Sequence, residues 1–332
     1  MTDKRVYPPV EGNFEDPVVW RTPIQYHMIV NDWRGRIAYY LRSKDGINWK
    51  IEPGEAYMPG IAKYEDGTVV DWFKYERIKV LQDKNGRAMQ ADFAVIDVLK
   101  GQDRGSDIHS SKHICIPLTV GRLLTILDKE QITAETKTIR VKIAAEDGFN
   151  PNTDIDMDSL RFGASEEVNF GRGSKVTKTE RSGDDLIVTY NGTGNGITDD
   201  NFAAKMLGKT SSGKLLFGYA RLPWVNYLEP ALSPLAPIIT KKDNGFNIAV
   251  EVQNFGQVSS EPADIKIVYS TDDKVVEVAA GTVASLKPFQ KTTVELTCGK
   301  IFEAGVAYTL KVIINPNAQY PVTLERRITP AP

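Results

Sequence analysis

FEDPVVWRTPIQYHMIVNDWRGRIAYYLRSKDGINW, residues Phe14 to Trp49, is the stretch on which the reading of the fold turns. It combines strand patterning, clustered aromatics and a carboxylate at a loop end. The pattern divides into three short strands with punctuated turns: one opened by Asp16-Pro17, a second over Gln25 to Val30, and a third over Arg36 to Arg42.

The same plan returns downstream. After a Pro/Gly-punctuated segment with Pro53, Gly54, Pro59 and Gly60, and an apolar run from Val69 to Phe73, Glu76 to Leu81 reads as a strand. Asp83 to Gly86 then reads as a turn and Ala91 to Leu99 as another strand. A carboxylate before a strand, a turn and an apolar strand thus recur after roughly sixty residues, a period that suits four-stranded propeller blades.

Composition sets the outer bounds. The chain has 332 residues, 41% hydrophobic and 25% charged, which is ordinary globular material with room for two or three cores. A formal net charge of -2 and a pI near 6.0 supply no general attraction to nucleic acid or to an anionic membrane. Cys115 and Cys298 are too far apart in the chain to spell a disulfide framework or a cysteine-based zinc site. The first residues show no apolar signal-peptide core, and no unbroken apolar run reaches the ~18 residues needed to span a bilayer.

From about residue 118 the aromatics thin out while strand alternation persists, as in Ile139, Val141 and Ile143 against Thr138, Arg140 and Lys142. Strands are expected over Lys175–Thr179, Leu186–Tyr190 and Lys214–Tyr219, with Asn201–Leu207 as a short helix. Residues 119–232 are expected to form an antiparallel β-sandwich. A Pro-rich linker, Leu232 to Pro237, leads to five alternating strands with regular turns over residues 238–332, the size and rhythm of an immunoglobulin-like sandwich. The fold class is therefore all-β: incomplete propeller blades over 1–118, then two sandwiches.

Residues 1–118 resemble the later blades of the five-bladed β-propeller glycoside hydrolases, the arabinanase and xylosidase type called family 43. The resemblance rests on Glu15-Asp16-Pro17 before a strand, Gln25-Tyr26-His27-Met28 on the next, the S-x-D-G-x-x-W turn from Ser43 to Trp49, and Glu76-Arg77 before the following strand. The last sandwich resembles the adhesion-type Ig-like modules of bacterial surface and carbohydrate-active proteins, where an N-x-G turn follows a VxVxN strand, here Val250, Val252 and Asn254. The first resemblance implies a glycosidic-bond hydrolase acting on oligosaccharide or polysaccharide without a cofactor, in a secreted or periplasmic bacterial setting. It implies Glu76 as general acid and Asp16 as the carboxylate that orients and tunes it, with His27, Trp33, Tyr40 and Arg77 as sugar contacts. One carboxyl must stay protonated near neutral pH to protonate the leaving oxygen, and a neighbouring carboxylate raises its pKa. Ile78 stands where related sequences carry proline, and the blades expected to supply the general base lie outside this chain. Five blades need on the order of 250 to 300 residues. Unclosed blades leave strand edges open to self-association.

Each of these residues also has a plainer reading. Asp16 and Glu76 can cap turns or pair with Arg21, Arg36 or Arg77; His27 can be a buried structural imidazole; Trp33 and Tyr40 can fill space between sheets. The alternative function is a noncatalytic carbohydrate-binding or surface-associated module. His109 and His113 would share a metal only on a helix, and Ile114-Cys115-Ile116-Pro117 argues for a strand. Asp154, Asp156 and Asp158 begin like a structural calcium loop, but Ser159 replaces the turn glycine and Ser165 the bidentate glutamate, so a solvated turn running into a strand is expected. Gly208-Lys209-Thr210 lacks the upstream glycine of a phosphate loop, since Ala203 stands there.

Overall fold

Alternation of buried and exposed side chains folds the opening stretch into an antiparallel sheet of β1 (Phe14–Arg21), β2 (Tyr26–Asp32), β3 (Ile37–Ser43) and β4 (Lys50–Tyr57) in chain order. The structure is a computed structural model and describes residues 12–34, 36–103, 111–133, 135–226, 230–270, 275–299, 302–303, 305–315, 317–318 and 321–330. It divides into two compact units, Met1–Asn226 and Tyr227–Pro332. The Ser43-to-Trp49 turn closes on itself: Asp45 accepts backbone N–H bonds from Ile47 and Asn48, both at 2.8 Å, and Gly46 takes φ +73°, which costs glycine little.

A two-stranded ribbon, β5 (Gly60–Lys63) and β6 (Val69–Trp72), leads into a three-stranded meander of β7 (Lys74–Gln82), β8 (Ala88–Ile96) and β9 (Lys112–Pro117). β1 and β7 carry the same local irregularity. Asp16 and Arg77, neither of them glycine, sit at φ 48° and 53°, and the pairing slips between Glu15 and Val18 and between Glu76 and Lys79. Such a bulge lets residues three apart share one face of a strand. β1 also runs beside β7, with Val18 packed on the cluster of Tyr75, Ile78, Phe93 and Val95.

Seven strands then form a closed barrel: β10 (Arg122–Ile126), β11 (Thr138–Ile143), β12 (Ile155–Gly163), β13 (Ser174–Ser182), β14 (Asp185–Asn191), β15 (Ala203–Thr210) and β16 (Leu215–Arg221). The open sandwich expected over residues 119–232 is thus replaced by a closed sheet, because β10 pairs in parallel with β16 at Arg122–Gly218 and Leu123–Tyr219. Gly218 permits that seam, since a Cβ there would lie 2.6 Å from the Arg122 carbonyl oxygen. The helix expected at Asn201–Leu207 is instead largely strand β15. Buried Ala204 and Met206 repeat every second residue and point into a core with Val141, Phe162, Val188 and Leu216. A single-turn helix, α1 (Ser165–Val168), lies between β12 and β13.

The second unit is two facing sheets. In one, β17 (Leu232–Pro234) and β18 (Ile238–Lys242) share one edge of β19 (Gly245–Asn254), and β22 (Lys291–Cys298) takes the other. In the other, β21 (Val275–Val283), β20 (Ala263–Ser270), β23 (Tyr308–Ile314) and β24 (Val322–Ile328) run in that order. Ile248 and Val250 from the first sheet meet Ile265, Leu310 and Val312 from the second. The buried Asn254 ties its turn by accepting from the Gly256 N–H at 2.8 Å and donating to the Val258 and Leu286 carbonyls at 2.8 and 2.9 Å. Among the described residues no helix is long and apolar enough to cross a membrane.

Within the first unit the β1–β4 sheet is fastened to the barrel by charge. Arg42 on β3, 1% exposed, pairs with the buried Glu52 on β4. Glu52 also accepts a bond from Asn169 Nδ2 at 2.8 Å, just beyond α1, and Lys50 pairs with Glu166 on α1 itself. The Arg42 guanidinium donates to Gln25 Oε1 at 3.0 Å and lies 5.1 Å from the Tyr219 ring centre on β16. Removing one member of a buried pair strands the other charge, at a cost of about 3–5 kcal/mol. Chemical denaturation should therefore show Glu52→Ala destabilising the protein by roughly that amount, while the double variant Arg42→Met/Glu52→Leu recovers most of the loss.

Candidate functional site

The six residues singled out from the sequence fall into three places. His27 and Tyr40 face a cavity of about 690 Å³ where the β1–β4 sheet meets the barrel. Strand alternation puts them there: His27 pairs across with Trp20 on β1 and with Arg42 on β3, and Tyr40 is two residues before Arg42 on the same face. The imidazole stacks on Trp20 at 4.9 Å and shares a 2.6 Å hydrogen bond between Nδ1 and the Tyr40 hydroxyl. Tyr40 is hydrogen-bonded in turn to Tyr219, and its pKa is pushed well up, chiefly by burial. Lys205 and Asn169 complete the polar wall, and Ile29, Leu124, Leu207 and Phe217 form the apolar one.

His27 is a neutral, fully engaged imidazole. Burial, with the Arg42 charge adding to it, lowers its pKa from 6.5 to about 3. It matches the structural reading, and the cavity wall is more than the sequence suggested: Glu52, Asn169, Lys205 and Tyr219 line it, with Arg42 buried behind Glu52. A charged residue inside the apolar strand Ile37–Ser43 was the available signal for Arg42, because a buried guanidinium requires an acidic partner.

Asp16 and Glu76 lie elsewhere, on the bulges of β1 and β7. In the paired registers Glu15 is the counterpart of Glu76, and Asp16 the counterpart of Arg77. Asp16 and Arg77 are exposed; Glu76 is partly buried and ion-paired with Lys74. Tyr57, at the end of β4, feels the charge of both acids. Its ring packs edge-on against Phe93 at 4.9 Å, its hydroxyl is buried without a protein partner, and its pKa is raised first by burial and then by the charges of Asp16 and Glu76. Two carboxylates from separate sheets thus act on one unsatisfied hydroxyl. No sequence signal marked Tyr57, since its role depends on where β4 ends.

Trp33, 42% exposed, stands apart at the β2–β3 turn with the Arg34 guanidinium 5.2 Å from its ring. His109 lies outside the described residues, and His113 is on β9. The Asp154-to-Asp158 run enters β12 at Ile155, and Asp154 accepts from the Asn150 N–H at 2.8 Å, so its first carboxylate already serves a turn.

No family model matches the chain, and no curated protein matches it. Solved structures that match include a chain titled marsupial T cell receptor, 10% identical, with a TM-score of 0.17, covering 93% of this chain and 98% of its own. That likeness is too slight to bear on fold or function.

The buried imidazole carries a pH signature. Unfolded, His27 takes up a proton near its ordinary 6.5, but folded only near 3, so between those values the unfolded chain binds more protons. The stability it contributes is complete above about pH 6.5 and is lost as the pH falls toward 3. Urea midpoints at about pH 7.5 and 5 should show His27→Gln reducing the acid-induced loss by about 2 kcal/mol relative to wild type.

Proposed function

We propose that the protein acts on glycosidic bonds as a glycoside hydrolase-like chain, with the β1–β4 and β7–β9 sheets as propeller blades. In this reading Glu76 is the general acid and Asp16 the carboxylate that orients and tunes it. The observation that carries the reading is the matched bulge at Glu15-Asp16 of β1 and Glu76-Arg77 of β7, with the charges of Asp16 and Glu76 both felt at the buried hydroxyl of Tyr57. Glycosidases use a carboxyl pair across the scissile bond. Matching bulges on β1 and β7 support a repeated unit that brings acids from successive sheets to one end. Arg77, beside Glu76, and Trp33, with its ring accessible, are the sugar contacts this reading keeps at the surface. His27 and Tyr40 would meet a sugar only inside the cavity. The two facing sheets of the second unit serve as an Ig-like accessory module.

One observation favours the noncatalytic alternative, a carbohydrate-binding protein. The Lys74 ammonium occupies Glu76 Oε1, an oxygen that a proton donor would need. Leaving-group dependence separates the two. A general acid contributes about 10²–10⁴-fold on substrates with poor leaving groups and little on activated aryl glycosides. Glu76→Gln should therefore lower kcat/KM on a plant oligosaccharide by at least about 100-fold while sparing nitrophenyl glycosides. Equal activity of both proteins on the oligosaccharide removes Glu76 from the acid role, and binding of the polysaccharide without sugar release by the wild type establishes the noncatalytic reading.

A further inference from the structure

The β7–β9 sheet presents its apolar side to the core, and its other side assembles a mixed set of donor atoms. His113 and Cys115 are two apart on β9 and so project to the same face. The β8–β9 register sets Cys115 directly opposite Asp92, and His113 opposite Ala94, whose methyl group leaves the space above the middle strand open. One ligand atom from each of Asp92, His113 and Cys115 lies within 4.8 Å of the others. The Cys115 thiol is hydrogen-bonded to the Asp92 carboxylate, and Gln90 Nε2 donates to Asp92 Oδ1 at 2.7 Å. Both β9 side chains are exposed, so the cluster is open to solution.

We propose that Asp92, His113 and Cys115 form a zinc site with its fourth position open to water or an external ligand. The donor set decides the metal. A thiolate, an imidazole and one carboxylate suit borderline-soft Zn²⁺, whereas Ca²⁺ and Mg²⁺ require shells of oxygen. Zn–S near 2.3 Å with Zn–N and Zn–O near 2.0–2.2 Å put tetrahedral ligand atoms about 3.3–3.8 Å apart. Atoms already within 4.8 Å reach that spacing by side-chain rotation on the paired strands. Gln90, holding Asp92, serves as the outer partner that orients a metal-bound carboxylate. Binding replaces the thiol proton: Cys115–SH and Zn²⁺ give a zinc thiolate and one H⁺, with Asp92 and His113 donating lone pairs. His113 is thus a ligand through its strand neighbours rather than through the i, i+4 partner that its sequence context offered. The site stands independently of the carbohydrate reading, since none of its ligands belongs to the Asp16–Glu76–Tyr57 group.

The chain supplies its own control, because Cys298, the second cysteine, lies in the other unit and is partly buried. With the full chain reduced, one equivalent of ZnCl₂ should slow iodoacetamide labelling of Cys115 at least tenfold and leave Cys298 unchanged, as read by peptide mass spectrometry. Co²⁺ should give a thiolate-to-metal charge-transfer band in the near ultraviolet that Cys115→Ser abolishes. His113→Ala and Asp92→Asn should each weaken zinc binding at least tenfold, with circular dichroism confirming that the strands persist. Labelling of Cys115 unaffected by zinc, or wild-type affinity in His113→Ala, overturns the site.

Discussion

A buried ion pair ties the β1–β4 sheet to the barrel within the first unit. Arg42 lies within a strand whose neighbours are apolar, and withdrawing a guanidinium from water is tolerable only where a carboxylate and further hydrogen-bond acceptors meet it. Glu52 and Gln25 provide them, and the Tyr219 ring covers the cation. Because Glu52 is also held by Asn169, the same charge that organises the β1–β4 sheet fixes where that sheet meets the barrel. The cavity follows from this arrangement. So does the neutral imidazole of His27, whose protonation is opposed by burial and by Arg42.

Backbone strain is the second constraint. Asp16 and Arg77 occupy left-handed backbone that costs a non-glycine residue about 1–3 kcal/mol, and they do so at equivalent points of β1 and β7. The bulges shift each strand by a residue, so Glu15 and Glu76 share faces with Val18 and Lys79 instead of opposing them. Strain of this kind persists where the surrounding structure over-determines it, and here the packing of β1 beside β7 does so.

Much of the strand plan was legible in the amino-acid order. The strands at Gln25–Val30, Arg36–Arg42, Thr138–Ile143 and Leu186–Tyr190 are present with small shifts of boundary, because alternation with period two survives whatever the partner strand. β4 and β24 are not legible: their side chains are mostly half-buried or exposed, and alternation is faint in an edge strand with one wet face. The segment Asn201–Leu207, expected as a helix, differs for another reason. Its Ala and Met residues have good helix propensity, which pairing with β12 and β16 overrides.

What the sequence by itself determined is the class of structure, an all-β chain with a recurring acid-strand-turn unit near its start; the expected linker Leu232 to Pro237 instead begins with strand β17. Local chemistry suffices for that, since propensity, alternation and turn residues act over a few positions. Tertiary structure alone decided that β10 and β16 meet in parallel and close a barrel, that Arg42 finds Glu52, that Tyr57 packs against Phe93, and that His113 gathers with Cys115 and Asp92. Each of these depends on register between strands distant in the chain, and a slip of one residue would turn every one of those side chains to the opposite face.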